Sequence, residues 1–295
     1  MSLPLKELIK IGQTQLKEAG VGDADRDARD LYCFLDKIDT VGLMMHWQDT
    51  LQDNACEAYF DLVQRRAAGE PMQYITGVQE FMGIPFKVTA QVLIPRQDTE
   101  TMVEDAIEAI EKGTLRGRPF IKAAAIKEVL DLCTGSGAIG VSIAKMCPKI
   151  KMVCSDLKIA EENAQASGCK SVKFQEGDLF SPFCGKLRKR KFDLIITNPP
   201  YIQTDVIPTL QREVKDHEPM SALDGGKDGL DFYRRIAAEA PFHLNKNGVL
   251  MMEIGYDQRI SVTELLQQTA KFSDIICLQD LAGKDRIIAA KLIGK

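Results

Sequence analysis

From residue 129 to its end the chain alternates short apolar runs with helical patterns, and few folds accept that alternation. The apolar runs fall at 129–130, 151–154, 172–174, 192–196, 249–252, 274–278 and 286–290. Helical periodicity fills most of the gaps, over 138–146, 159–167, 230–240 and 260–270. The alternation predicts an α/β fold, a mostly parallel sheet with helices on both faces. Only residues 279–285 separate the last two runs. That is too short for a crossover helix, so these strands are expected to pair antiparallel.

The first seventy residues follow a different rule. Leu5, Leu8, Ile9 and Leu16 form one helical stripe, and Ala24, Ala28, Leu31, Tyr32 and Leu35 form another. Thr50 reads as an N-cap, with Asp53 in place of the usual Glu, for a third helix carrying Leu51, Ala55, Ala58 and Leu62. From 74 to 93 the period becomes two and Gly83 offers a turn, so a β-hairpin is expected. Asp98 or Thr99 then caps a helix through Ile110, and residues 112–119 read as a loop. The division is a helical domain over 1–73, a hairpin linker over 74–94 and an α/β domain over 95–295.

Charge and cysteine content exclude several classes. The formal net charge of −4 argues against a protein that wraps nucleic acid, which needs a basic footprint. One basic run, residues 186–191, is the exception; it reads first as a solvated loop, and otherwise as a contact for a protein substrate or RNA. The eight cysteines include no CxxC pair, and there are only three histidines, so neither zinc nor a redox dithiol is expected. No secretory signal opens the chain and no stretch reaches 18 apolar residues. A cytoplasmic protein without a membrane span is expected.

Chemistry concentrates where strands end. Asp131 closes the 129–130 run, and Gly135 and Gly137 then let the backbone turn tightly and approach a ligand. The segment is not a Walker loop, since no Gly-Lys-Ser/Thr follows. A carboxylate at Asp131 repels phosphate and suits a cation; S-adenosyl-L-methionine carries an ammonium and a sulfonium and no phosphate. Asp156 ends the next strand, where a carboxylate can accept both ribose hydroxyls. Asp178 follows the third, placed to accept an adenine amino hydrogen while Leu179 or Phe180 packs beside the ring.

The sharpest signal is Asn198-Pro199-Pro200-Tyr201 at the end of the fourth strand. Asn198 offers a side-chain carbonyl oxygen and Pro199 a backbone one, two acceptors for the two hydrogens of a planar NH₂ group. Pro200 stiffens the turn, and Tyr201 can stack on a flat amide or base.

These residues resemble a known family. NPPY after the fourth strand is shared by methyltransferases of exocyclic base amines and of glutamine. Longer stretches are similar to the protein-(glutamine-N5) methyltransferases of class I peptide chain release factors: VLIPRQDTE at 92–100, VLDLCTGSGAIG at 129–140 and IITNPPYI at 195–202. EPMSALDGGKDGLDFYRRI at 218–236, MEIG at 252–255 and DLAGKDR at 280–286 continue the likeness in order. The resemblance implies a class I methyltransferase fold, with a mostly parallel seven-stranded sheet whose last strand is antiparallel. A monomer is expected. The resemblance also implies a cofactor loop of Cys133, Thr134, Gly135, Ser136 and Gly137, with Asp156 on the ribose and Leu179 by the adenine. Asn198, Pro199, Pro200 and Tyr201 would receive the glutamine of a Gly-Gly-Gln motif, and S-adenosyl-L-homocysteine would be the product. Two departures stand out. Gln97 replaces the family's usual Pro, and Cys133 stands where Gly is frequent and so asks for an ordinary negative φ.

An amide nitrogen is a poor nucleophile because its lone pair is delocalised. Alignment with the methyl donor is therefore the main requirement, and positioning of this kind supplies roughly 7–11 kcal/mol in favourable cases. The same four residues would serve an adenine or cytosine N-methyltransferase, against which stand the charge and the lack of a base-reading module. A non-enzymatic adaptor that kept the fold is the third reading, and the intact NPPY and Gly-rich loop oppose it.

Overall fold

The computed structural model describes residues 2–155, 159–169, 171–183 and 190–294. It opens with β1 (Leu3–Pro4), α1 (Leu5–Glu18), α2 (Ala24–Asp36), α3 (Thr40–Met45), β2 (Thr50–Leu51), α4 (Asp53–Ala67) and α5 (Met72–Thr76). Next come β3 (Val78–Phe81), β4 (Ile84–Lys87), α6 (Gln97–Lys112), β5 (Thr114–Leu115) and β6 (Arg118–Pro119). The alternating region gives β7 (Glu128–Leu132), α7 (Ala138–Met146), β8 (Lys151–Ser155), α8 (Ile159–Ala166), β9 (Val172–Gln175) and β10 (Phe192–Thr197). It continues through α9 (Arg212–Lys215), α10 (Met220–Leu223), α11 (Asp231–His243), β11 (Leu244–Glu253), α12 (Arg259–Gln268), β12 (Phe272–Gln279) and β13 (Asp285–Leu292).

The chain forms two compact units. One is Met1–Val78 with Leu210–Glu218, the other Gln79–Thr209 with Pro219–Lys295. In the second unit seven strands form one sheet in the order β12-β13-β11-β10-β7-β8-β9. All neighbours are parallel except at β13, which runs antiparallel to β11 and β12. Side-chain alternation feeds two cores. Val129, Leu194 and Met251 face one helical layer, while Leu130, Ile195 and Leu250 face the other. Strand order reverses between β7 and β10, and open α/β sheets place ligands at such a reversal, outside the strands' carboxyl ends. The register sets Thr197 beside Leu132, so Cys133 and Asn198 leave the sheet side by side.

Several local expectations need correction. Helix α4 begins at Asp53 with Gln52 at the N-cap. Thr50 lies in β2 instead, paired with Pro4, a place that suits a β-branched residue. Helix α6 begins at Gln97 with Arg96 at the N-cap. Asp98 and Thr99 do not cap it, because Asp98 pairs with Arg286 at 3.1 Å and Thr99 Oγ1 accepts from Asn198 Nδ2. Residues 74–76 are helical, and the hairpin is confined to β3 and β4. Its two turn residues, Met82 and Gly83, both have positive φ, the geometry that matches the twist of paired strands. Phe81, Ile84 and Phe86 are buried in the sheet unit's core, so the hairpin is part of that unit. The 112–119 loop holds a second small hairpin, β5 with β6.

The helical unit packs Leu5, Leu8, Ile9, Leu16, Leu31 and Val63 around Tyr59, whose hydroxyl donates to the Ala28 carbonyl at 3.0 Å. Arg66 is 5% exposed in the same unit. Its guanidinium donates to Asp27 at 2.7 Å and to Glu213, tying α4 to α2 and α9. Removing one partner of a buried pair strands the other charge. Arg66→Ala is therefore expected to destabilise the helical unit by about 3–5 kcal/mol, and Arg66→Met by less, because its stem still packs. Trp47, the only tryptophan, packs on this unit's core, so its fluorescence in a guanidinium titration reads the loss. An unchanged midpoint for Arg66→Ala would contradict the assignment.

Candidate active site

A cavity of about 480 Å³ opens in the sheet unit at the carboxyl ends of β7, β8 and β10. Pockets for small ligands fall in the range of roughly 300–1,000 Å³. Cys133, Thr134, Gly135 and Ser136 form one wall, with Ile139 at the start of α7. Gly177, Asp178 and Leu179 form a second wall, and Asn198 and Pro200 a third. With Ser155 at the end of β8, the cavity thus gathers residues from four strand ends, those of β7, β8, β9 and β10.

Of the three carboxylates expected along the crevice, Asp178 lines it, and Asp156 lies outside the described residues. Asp131 is fully buried beneath the loop and is not part of the lining. It accepts from the Thr134 hydroxyl and from the Gly140 N–H at 2.9 Å. It lies on the strand face that packs against α7, so it builds the loop rather than facing the crevice. Asp178 is largely exposed and pairs with Arg235 at 2.5 Å. Gly137 caps α7 behind the wall with φ of +84°.

Two non-glycine residues of the lining adopt left-handed backbone. Cys133 has φ of +56°, the left-handed region, and not the negative value the non-glycine residue suggests. Leu179 has φ of +47°. Such conformations cost on the order of 1–3 kcal/mol each and persist where surrounding structure fixes them. The loop after Cys133 is fixed by Asp131 and by Asn163, whose Nδ2 donates to the Ser136 carbonyl at 2.7 Å.

The lining suits a cationic nucleoside with an apolar middle. Glu176 and Asp178 bring carboxylates to the lining, Asp178 already paired with Arg235, and Arg96 a guanidinium, while Leu179, Ile139 and Phe232 supply apolar surface. A Cβ at Gly135 would meet nothing within 4 Å, so the loop backbone is open for close approach. Among the described residues no cluster of His, Cys, Asp or Glu could hold a metal ion, and no helix is long and apolar enough to cross a membrane.

The turn after β10 is braced from behind. Asn198 Nδ2 donates to Thr99 Oγ1 at 3.3 Å. Gln258 Nε2 donates to the Tyr201 carbonyl at 2.9 Å and to the Gly229 carbonyl at 3.1 Å. Ile202 exchanges backbone hydrogen bonds with Leu223 and Gly225. A Cβ at Gly225 would sit 2.7 Å from the Tyr201 Cα, and one at Gly229 would sit 2.4 Å from its carbonyl oxygen. The glycines of LDGGKDGL therefore let this segment press directly on Tyr201. Pro199 is buried, and Tyr201 packs partly on the second core, where burial pushes its hydroxyl pKa well up.

Behind this turn lies a charged cluster that sequence reasoning left without roles. Glu253, the last residue of β11, is 2% exposed, and its Oε2 has no hydrogen-bond partner among the described residues. Burial pushes its carboxyl pKa up to about 7, against the stabilising influence of Thr99, Arg286 and Asn198. Arg286 Nη2 lies 3.1 Å from Asp280 and 3.1 Å from Asp98. Thr99, Asp98 and Arg96 sit in VLIPRQDTE, and Glu253 in MEIG, so the signal lay in quoted segments.

Comparison with known proteins agrees with this geometry. Residues 7–77 match the PrmC N-terminal domain model, and residues 106–214 the methyltransferase small domain model. A release factor glutamine methyltransferase of Clostridium botulinum is 38% identical over 97% of this chain and 99% of its own length. One of Geobacter sulfurreducens is 41% identical over 94% of this chain and 93% of its own. One of Bacillus cereus is 35% identical over 97% and 98%. Two domain models matched in order and relatives collinear over almost the whole length leave one assignment: the chain belongs to the release factor glutamine methyltransferase family.

Proposed function

We infer that Asn198, Pro199, Pro200 and Tyr201 receive the glutamine side chain of a Gly-Gly-Gln motif in class I peptide chain release factors, and that the 480 Å³ cavity holds S-adenosyl-L-methionine. The chain is a protein-(glutamine-N5) methyltransferase using that donor. The donor supplies an electrophilic methyl group. The observation that carries the residue reading is the adjacency of Asn198 and the Cys133–Gly137 loop across the sheet's reversal point. Asn198 Oδ1 and the Pro199 carbonyl accept the two amide hydrogens, which holds the nitrogen's face toward the donor. Both acceptors gain strength as positive charge grows on nitrogen, and the proton leaves afterward to water. Cys133 to Gly137 hold the donor's amino-acid end, Asp156 its ribose, and Asp178 with Leu179 its adenine. The helical unit is assigned to recognition of the release factor, because one glutamine side chain offers too little surface for selection. We read the protein as a cytoplasmic monomer. Of the 186–191 basic run only Arg190 and Lys191 are among the described residues.

Three measurements test these roles. Asn198→Ala is expected to lower kcat by the equivalent of about 2.7–4 kcal/mol, as a lost transition-state partner does, with cofactor affinity kept. Calorimetry showing affinity gone while turnover survives would reverse the assignment. Asp156→Ala removes a charge-assisted acceptor and is expected to weaken cofactor binding by about 1.5–3 kcal/mol. Wild-type affinity in a direct titration would sink the ribose role. Helix α3 exposes Met44 and Met45, at 53% and 78%. Changing both to Glu is expected to lower kcat/KM for intact release factor by more than about 1 kcal/mol with cofactor affinity unchanged. An unaltered kcat/KM would show that this face is not part of recognition.

A further inference from the structure

We propose that Glu253 is a positioning residue: through the Thr99 hydroxyl it fixes the direction of the hydrogen bonds at Asn198, and so turns the Asn198 amide oxygen toward the crevice. This rests on the reading of Asn198 as the acceptor of the substrate amide.

An asparagine side chain carries an acceptor and a donor of nearly the same shape. Only one orientation serves a substrate NH₂ group. With oxygen outward the side chain accepts; with nitrogen outward it opposes two donors and rejects the substrate. Something behind Asn198 must therefore choose. Thr99 cannot choose alone, because a hydroxyl both donates and accepts. An ionised carboxylate only accepts. Thr99 and Asn198 lie beside the Glu253 carboxyl and favour its charged form. Asn198 Nδ2 in turn lies 3.3 Å from Thr99 Oγ1. A carboxylate at the inner end thus gives the chain one sense. Thr99 donates inward, its lone pair takes the Asn198 N–H, and the Asn198 oxygen is left facing out.

The Glu253 side chain is buried, and among the described residues its Oε2 has no hydrogen-bond partner, a costly arrangement for a residue with no use. The nearby cation is already matched, since Arg286 pairs with both Asp98 and Asp280. Tyr233 donates to the Glu253 backbone carbonyl at 2.8 Å and not to its carboxylate. The charged and titratable groups around the carboxyl are Arg286, Asp98, Tyr201 and Tyr233. A protonated Glu253 could donate to Thr99 Oγ1 and release the constraint. Burial holds the carboxyl near pH 7, so the switch falls in a measurable range.

The test is a pH–kcat profile with intact release factor and saturating labelled cofactor, for wild type, Glu253→Gln, Asn198→Ala and the double variant. Wild-type kcat is expected to rise with an apparent pKa near 7. Glu253→Gln is expected to lose roughly 10- to 100-fold in kcat, the size seen when orienting partners of site ligands are removed elsewhere. Its profile is expected to flatten, its cofactor Kd to stay at the wild-type value, and the double variant to be no slower than Asn198→Ala. An active Asn198→Ala would defeat the reading of Asn198 itself. An inactive Asn198→Ala beside a Glu253→Gln enzyme with wild-type kcat and profile would overturn the proposal alone. Should Glu253→Gln fail to fold by circular dichroism, Thr99→Val and Thr99→Ser decide. Loss in Thr99→Val with recovery in Thr99→Ser supports the relay, and wild-type kcat in Thr99→Val overturns it.

Discussion

The exit of the central strand β10 governs the rest of the site. Strand β10 runs between β7 and β11, so the chain that leaves it at Asn198 emerges between the loops that follow its neighbours, with one side on the cavity. The groups that face inward there need partners within the protein. The fold meets this from distant segments: Thr99 from α6, Gln258 from the turn before α12, and the glycines at 225 and 229 from the segment before α11. A turn held from that many sides has little freedom. A weakly nucleophilic amide needs such a turn, because its reaction depends on alignment and not on a strong base.

Some unfavourable terms fall at the same place. Cys133 and Leu179 adopt left-handed backbone, and Glu253 is buried with an oxygen that has no hydrogen-bond partner among the described residues. The sheet behind them has apolar strands and two filled cores, with register shifts where β10 meets β11 and β12 meets β13. Local strain of this kind persists only where its surroundings over-determine it. Asp131 and Asn163 supply that constraint to the loop after β7. The site is therefore rigid by construction, and the stability of the rest of the sheet unit sustains it.

The sheet was legible because parallel strands buried on both faces read as unbroken apolar runs, and all seven runs became strands of one sheet. The strand order, and with it the adjacency of the Gly-rich loop and NPPY, came only with the observed register. Residues whose roles depend on partners far along the chain were not legible. Thr99 read as a cap because local pattern knows nothing of Asn198, 99 residues on. Asp131 read as crevice-facing, although its place on the α7-facing side of β7 decides otherwise. The sign of φ at Cys133 was misjudged from residue type, while the frequency of Gly at that place in the family was the better signal. Leu210–Glu218 joins the helical unit, where Arg66 reaches Glu213, a contact that no periodicity announces.

The central claim is that the methyl group goes to a glutamine amide and to nothing else. The most direct measurement is mass spectrometry of release factor after reaction with isotope-labelled S-adenosyl-L-methionine, with fragment ions that place the label. The account predicts one labelled methyl on the glutamine of the Gly-Gly-Gln peptide, and none when that glutamine is replaced by glutamate. Label on any other residue, or on nucleic acid present in the same reaction while the release factor stays unmodified, would contradict it.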